Sequence, residues 1–293
     1  MPELPEVQTI VNDLNKKIVG RKITDVWFDW PKMIKSPRFK GLIKGKKILS
    51  VKRRGKNILI YLSGGLLLLI HQKMTGHMLV GKWKVKSEKR ETAVIPLEPK
   101  DVVADKYNSY IHLIFYLDNG EMLALSDLRK FAKAILGTVE QIENLPELKK
   151  LGPEPLDKSF KFIKFIKLIK PERRKIKQVL MDQEVIAGIG NIYSDDILWE
   201  AKIHPFKTAN KLTQSELKEL FSAVKEILAK ALKMRGTSTS DYRDTAGKKG
   251  AYTEHRLAYQ REGEKCPRCG NEIKRIKLGG RSAHFCPNCQ QIA

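Results

Sequence analysis

Apolar residues at Val7, Ile10, Val11, Leu14 and Ile18 recur at helical spacing, so the chain is expected to open with an amphipathic helix. Pro2 and Pro5 suit its first turn, and Glu3 and Glu6 suit its positive end. After this helix the period changes to that of strands, over 23–28, 48–53, 58–62, 66–70, 111–117 and 122–125. Turn signals such as Gly64-Gly65 and Asp118-Asn119-Gly120 separate them. The pattern predicts a β-sandwich with a leading helix. The polar, charged stretch 87–109 reads as a long loop or insertion between strands.

The second half has a different rhythm. A proline-bearing linker over 145–155 leads into helical spacing over 159–169, broken at Pro171. Ile176, Val179 and Leu180 continue on a helix whose other face carries Arg173, Arg174 and Lys177, and Gly188 and Gly190 precede a further helix beginning near Asn191. Thr213 with Glu216 forms a capping box before a helix that buries Leu217, Leu220, Phe221, Val224, Ile227 and Leu228 and ends at Gly236. The stretch 237–252, rich in Gly, Ser, Thr and charge, reads as a mobile loop, and Gly279-Gly280 as the turn of a β-hairpin. The expected class is α+β and multidomain, divided at 1–140, 141–236 and 237–293.

Charge adds a partner to this picture. Lys and Arg outnumber Asp and Glu by 56 to 33 in 293 residues, giving a net charge of +23. A lysine-rich proteome would supply part of that excess, but nucleic acid is the leading partner for so basic a chain. No apolar segment reaches membrane length, and acids stand where a signal peptide would be basic, so membrane and secreted classes are set aside and a cytosolic protein is expected. All four cysteines fall in two Cys-x2-Cys pairs, Cys266/Cys269 and Cys286/Cys289, with sixteen residues between them. That is four-thiolate zinc spacing rather than a scattered disulfide framework, and it predicts one structural Zn2+.

Several positions then suggest chemistry. Removal of Met1, favoured by the small residue behind it, would leave Pro2 as an N-terminal secondary amine beside the Glu3 carboxyl. An α-amine titrates near ~8, so a useful fraction is nucleophilic, and a helix N-terminus lowers the value further. Schiff-base formation with Glu3 as adjacent acid/base is the chemistry this suggests; taken alone, Pro-Glu also simply starts a helix. The basic turn 52–56 can hold phosphates, with Lys56 at its end, and fits an ordinary solvated hairpin equally well. Met74 falls in a loop after a buried strand, and Arg129 and Phe131 follow another strand. A thioether, a guanidinium and a phenyl ring can wedge into a duplex and replace an extruded base, although Met74 or Phe131 alone is better explained by core packing. The turn around Gly188 and Gly190, with Lys177 upstream, can form an anion nest for a DNA phosphate or simply cap a helical hairpin. Arg281 sits just past the hairpin turn, where a zinc-supported tip could enter a groove.

Together these motifs resemble the bacterial formamidopyrimidine-DNA glycosylase family over nearly the whole chain. Pro2-Glu3-Leu4-Pro5-Glu6-Val7 is similar to its N-terminal signature; Met74, Arg129 and Phe131 to its separated void-filling trio; 182–193 to its helix–two-turn–helix; and the four cysteines to its zinc finger. The resemblance implies a base-excision-repair enzyme that flips an oxidised purine, such as 8-oxoguanine or a formamidopyrimidine, out of double-stranded DNA and also acts on abasic sites. It assigns Pro2 as nucleophile, Glu3 as proton donor, Lys56 to β-elimination and phosphate binding, Arg281 to δ-elimination, and Lys177 and Asn191 to flanking phosphates. It also implies that the loop in 237–252 covers the extruded base, that the enzyme works as a monomer without a membrane, and that it associates with the nucleoid. Gln72, Ala132 and Ala283 depart from the family's usual leucine, glycine and threonine, and Tyr110 with His112 stands where two histidines are frequent DNA contacts. The rivals are an endonuclease VIII-type glycosylase for oxidised pyrimidines, and a non-catalytic zinc-finger protein that binds damaged DNA.

Overall fold

The computed structural model describes residues 1–88, 91–98, 100, 104, 106–239 and 242–292. The chain forms two compact units, one of residues 1–149 with 235–251, the other of residues 150–234 with 252–293. No helix among the described residues is long and apolar enough to cross a membrane.

The first unit opens with α1 (Leu4–Lys17), whose first turn is closed by the Glu3 N–H donating to Glu6 Oε2 at 2.8 Å. Its apolar face, Val7, Ile10, Val11 and Leu14, is buried in a core shared by two antiparallel sheets. The five-stranded sheet has the order β1 (Ile23–Phe28), β7 (Ile111–Leu117), β8 (Met122–Asp127), β5 (Gly76–Glu88), β6 (Glu91–Glu98). The four-stranded sheet has the order β2 (Ile48–Arg54), β3 (Asn57–Leu62), β4 (Leu66–His71), β9 (Lys133–Thr138). Both inner faces feed one core, with Val26, Leu113, Phe115 and Leu125 from the first sheet and Val51, Ile58, Ile60, Leu68 and Leu136 from the second. The expected β-sandwich with a leading helix is present.

Two expectations change. The stretch 87–109 is not simply a loop, because β5 continues through Glu88 and pairs with β6, Val85 opposite Val94. Trp83, in β5, buries its ring against Leu79, Ile111, Ile114 and Ala124, and its indole N–H donates to Asn108 Oδ1 at 2.7 Å. Val94 packs on the Trp83 cluster while Ile95 and Leu97 on the same strand are exposed, so apolar and polar positions do not mark the two faces of β6 in the sequence. Residues 89, 90, 99, 101–103 and 105 of that stretch lie outside the described residues. The second change concerns 237–252, of which the described residues up to 251 are fastened within the first unit. Thr237 N–H donates to Glu6 Oε1 at 2.8 Å, Val80 N–H to the Thr245 carbonyl at 2.9 Å, and Arg235 bridges Asp13 and Asp244, each at 2.6 Å. The polar composition of this stretch satisfies buried partners rather than solvating it; residues 240 and 241 lie outside the described residues.

After three short helices of the first unit, α2 (Phe39–Ile43), α3 (Val139–Glu143) and α4 (Pro146–Lys149), the second unit is built on α5 (Phe162–Ile169), α6 (Ile176–Met181), α7 (Asn191–Glu200) and α8 (Gln214–Lys233). The capping box at the start of α8 forms as expected, Thr213 N–H to Glu216 Oε2 at 2.8 Å and Glu216 N–H to Thr213 Oγ1 at 3.2 Å. Leu217, Leu220, Val224, Ile227 and Leu228 are buried, whereas Phe221 is half-buried and packs its ring on Phe160, Phe162 and Phe165. The unit ends in the predicted hairpin, β10 (Lys274–Leu278) and β11 (Arg281–Phe285).

Candidate active site and nucleic-acid interface

The sandwich gathers the candidates of the first unit at one end, as its strand pairing requires. Arg54 and Asn57 are paired at the β2–β3 turn, so Lys56 sits at its tip next to Gly55, whose φ of +56° a glycine tolerates without strain. Ile58 pairs with Ile70 on β4, which brings the turn after His71, and Met74 with it, to the same end. His71 pairs with Lys133 on β9, so the turn carrying Arg129 and Phe131 arrives beside it. Tyr110 stands at the start of β7, where Ile111 pairs with Ser126. Arg53 then links this end to α1, donating to Gln8 Oε1 and to the Gly55 carbonyl, both at 2.9 Å. Pro2 and Glu3 at the N-terminal end of α1 are buried, and the Pro2 nitrogen lies in the Met1–Pro2 peptide bond. Lys56 is buried too.

Burial and neighbouring cations at this end act together on His71. Burial, then the positive charges of Lys73, Lys133 and Lys56, push its imidazole down to about 3, so it stays neutral and its Nδ1 accepts the Lys73 N–H at 2.9 Å.

Met74 is 39% exposed and Phe131 54% exposed, so neither is a core residue. The Arg129 guanidinium lies over the Phe131 ring at 4.7 Å. The two turns are fastened to each other. Asp127, fully buried, accepts the Thr75 hydroxyl through Oδ1 at 2.5 Å and the Ala132 N–H through Oδ2 at 2.6 Å. The Arg129 N–H donates to Thr75 Oγ1 at 3.1 Å and to Asp127 Oδ1 at 3.3 Å. Asp127 and Thr75 were not singled out from sequence. The only signal was an acid placed directly before the Leu128-Arg129 pair.

In the second unit, the turn joining α6 to α7 is shaped by Gln183, whose Nε2 donates to the Met181 and Ile189 carbonyls at 2.8 and 2.7 Å. Its Oε1 accepts the Gly188 N–H at 2.9 Å, and Gly188 itself has a φ of +93°. Asn191 follows as the first residue of α7, and its buried Oδ1 has no hydrogen-bond partner among the described residues. Lys177, on α6, is 1% exposed and forms an ion pair with Asp195 on α7. Asp195 Oδ2 also accepts the His284 N–H at 3.0 Å and meets His284 Nδ1 at 2.8 Å. One buried carboxylate therefore joins α6, α7 and β11. Its sequence signal was weak, two acids interrupting an apolar run between Ile192 and Trp199. Arg281 is exposed at the start of β11, beyond Gly279 and Gly280, both with positive φ. A Cβ on Gly279 would lie 2.8 Å from Gln178 Nε2, so this turn is seated against α6.

The four cysteine sulfurs lie within 4.8 Å of one another. Tetrahedral Zn–S bonds of roughly 2.3 Å place sulfurs roughly 3.8 Å apart, so the cluster fits one structural zinc ion. Asn271 backbone hydrogen bonding draws the Cys269 thiol down to about 6, while burial pushes Cys289 up to about 12. The Trp199 indole N–H donates to Cys266 Sγ at 3.3 Å and Arg268 stacks on the same indole at 3.8 Å, fixing this knuckle to α7.

Three family models match the chain. They are the formamidopyrimidine-DNA glycosylase N-terminal domain over residues 1–134, the formamidopyrimidine-DNA glycosylase H2TH domain over 151–243, and the zinc finger found in FPG and IleRS over 263–292. A formamidopyrimidine-DNA glycosylase of Desulforamulus reducens is 40% identical, covering 99% of each chain. Among solved structures, a complex between Lactococcus lactis Fpg and DNA containing an abasic site superposes with a TM-score of 0.86 at 34% identity, covering 99% of this chain and 100% of that one. A mutant of the same L. lactis protein bound to Fapy-dG-containing DNA gives a TM-score of 0.86 at 35% identity and the same coverage.

Proposed function

Because the chain belongs to the formamidopyrimidine-DNA glycosylase family, and so is a DNA-repair glycosylase with a structural zinc finger, we propose that it excises oxidised purines through the Pro2 amine and then cleaves the strand. With Met1 removed, the Pro2 nitrogen attacks C1′ of the damaged nucleoside as the bond from C1′ to the base breaks, and Glu3 protonates the sugar ring oxygen to open the ring. A secondary amine gives an iminium that stays cationic and acts as an electron sink. Loss of the C2′ proton then expels the 3′-phosphate (β-elimination), and a second elimination expels the 5′-phosphate (δ-elimination). Lys56 assists the first elimination and holds phosphate, and Arg281 assists the second. Asn191 at the start of α7 holds a flanking phosphate; Lys177, expected to hold another, is buried against Asp195 and so supports that grip through its helix instead. Met74, Arg129 and Phe131 fill the space left by the extruded base, Tyr110 contacts DNA beside them, and the loop in 237–252 covers the base.

The carrying observation is the buried Pro2-Glu3 pair at the sandwich end that also bears Lys56 and the exposed trio. The proposed division of labour is chemistry in 1–140, phosphate grip in 141–236, and lesion loop with zinc hairpin in 237–293. The enzyme acts as a monomer on damaged duplex DNA in the cytoplasm, at the nucleoid. Leu4 and the separated Met74/Arg129/Phe131 arrangement favour purines over the oxidised pyrimidines of endonuclease VIII-type enzymes. The test is borohydride trapping on an 8-oxoguanine duplex, with the N-terminal mass measured in parallel. An adduct mapped to Pro2 is expected. A Pro2-started, zinc-loaded protein that traps only on thymine glycol would move the assignment to pyrimidines, and one that traps on neither would make the chain a non-catalytic damage binder.

A further inference from the structure

Met74 and the Arg129–Phe131 pair arrive on turns more than fifty residues apart in the chain, so nothing local sets their relative position. Both turns hold a non-glycine residue in the left-handed region next to the side chains of interest, Lys73 at φ +55° and Lys130 at φ +56°. Such conformations persist only where the surroundings impose them. Asp127 ties the two turns together. Its carboxylate is fully buried, and a buried carboxylate needs hydrogen-bond donors to remain in place. Thr75 from one turn and the Arg129 and Ala132 N–H groups from the other supply them, and Thr75 Oγ1 in turn accepts the Arg129 N–H. The Met74 turn is closed tightly behind this bond. The Gly76 N–H donates to the Gln72 carbonyl at 3.0 Å, and a Cβ on Gly76 would sit 2.4 Å from that oxygen.

We propose that Asp127 and Thr75 are positioning residues that lock the two turns together, so that Met74, Arg129 and Phe131 enter the duplex as one preassembled wedge. The inference rests on the void-filling reading above. Its physical content is that a wedge replaces an extruded base only if its parts arrive together. If the turns move independently, the unstacking cost of extrusion is no longer offset, whereas a site that already lacks its base carries little of that cost.

The test compares single-turnover excision of 8-oxoguanine from duplex DNA with cleavage of a preformed abasic site, using zinc-loaded full-length protein. Thr75→Val removes the hydroxyl that bridges the turns and keeps side-chain volume; Thr75→Ser retains the hydroxyl. Misplacement on the ångström scale predicts a roughly 10- to 100-fold loss of excision in Thr75→Val. Abasic-site cleavage should stay near the parent rate, and Thr75→Ser should restore excision. Asp127→Asn should show the same selective loss, but Thr75→Val decides if Asp127→Asn does not fold. Parent-like excision by folded Thr75→Val would overturn the inference, as would a loss of both activities in equal proportion. Arg129→Ala separates the two levels. If it lacks a selective excision defect, the void-filling reading falls and the inference with it; if it has one and Thr75→Val does not, only the inference falls.

Discussion

Glu3 combines helix capping with a place beside Pro2. Its backbone N–H closes the first turn of α1 on Glu6, while its side chain stands buried beside Pro2. Glu3→Gln preserves the backbone donor, so the melting temperature should be close to that of the parent. Excision should fall by about 10²–10⁴-fold, the range for loss of a positioned proton donor. Unchanged excision of 8-oxoguanine by this variant would remove Glu3 from the mechanism. His71 makes a prediction about stability instead. Its folded value of about 3 lies below its ordinary 6.5. Between those values the unfolded chain binds the extra proton, so the stabilising contribution is complete above pH 6.5 and is lost as pH falls towards 3. At about 1.4 kcal/mol per pH unit the loss is bounded at roughly 5 kcal/mol. Thermal melts between pH 7.5 and 4 should therefore fall more steeply for the parent than for His71→Gln; parallel curves would contradict the assignment.

At the scale of elements, the second unit depends on a buried charge that joins two helices to a strand. Asp195→Asn leaves the Lys177 ammonium without its carboxylate and should cost about 3–5 kcal/mol, read from the denaturant midpoint. A Lys177→Met/Asp195→Asn double variant, which removes both charges while an amide oxygen can still accept the His284 N–H, should recover much of that loss, and a double variant as unstable as Asp195→Asn would refute the account. The cysteine knuckles are a second joint of the same kind. Cys266→Ser should lose zinc and melt the β10–β11 hairpin while the sandwich remains folded, as metal analysis with circular dichroism can follow. These joints were only partly legible in advance. The Cys-x2-Cys pairs announce themselves by spacing, because a metal dictates its ligands locally. The acid that fastens β11 to α7 does not, because its partners Lys177 and His284 lie 18 and 89 residues away.

For the whole molecule, the net charge of +23 favours a polyanionic partner, and the binding constant for duplex DNA should fall linearly with the logarithm of salt concentration. Each phosphate neutralised contributes about −0.9 to that slope. Arg281→Ala should reduce the slope by about one, because its exposed guanidinium displaces a counterion of its own. An unchanged slope would place Arg281 away from the phosphates.

Features set by near neighbours were readable from the amino-acid order alone. The helical period and proline start of α1, the Thr213–Glu216 box, the strand alternation over 111–117, the glycine turn before Arg281 and the cysteine spacing all obey local rules. Order along the chain also carried the family resemblance, since its motifs stand in a fixed succession. What only the tertiary structure decided was which distant groups meet. It paired part of the charged stretch 87–109 with β5, fastened 235–251 to the first unit through Asp13 and Glu6, and brought the Met74 and Arg129–Phe131 turns onto one carboxylate. Polar residues in such places look like surface in a sequence. Their burial follows from hydrogen-bond partners that no local pattern contains, and only folding supplies those partners.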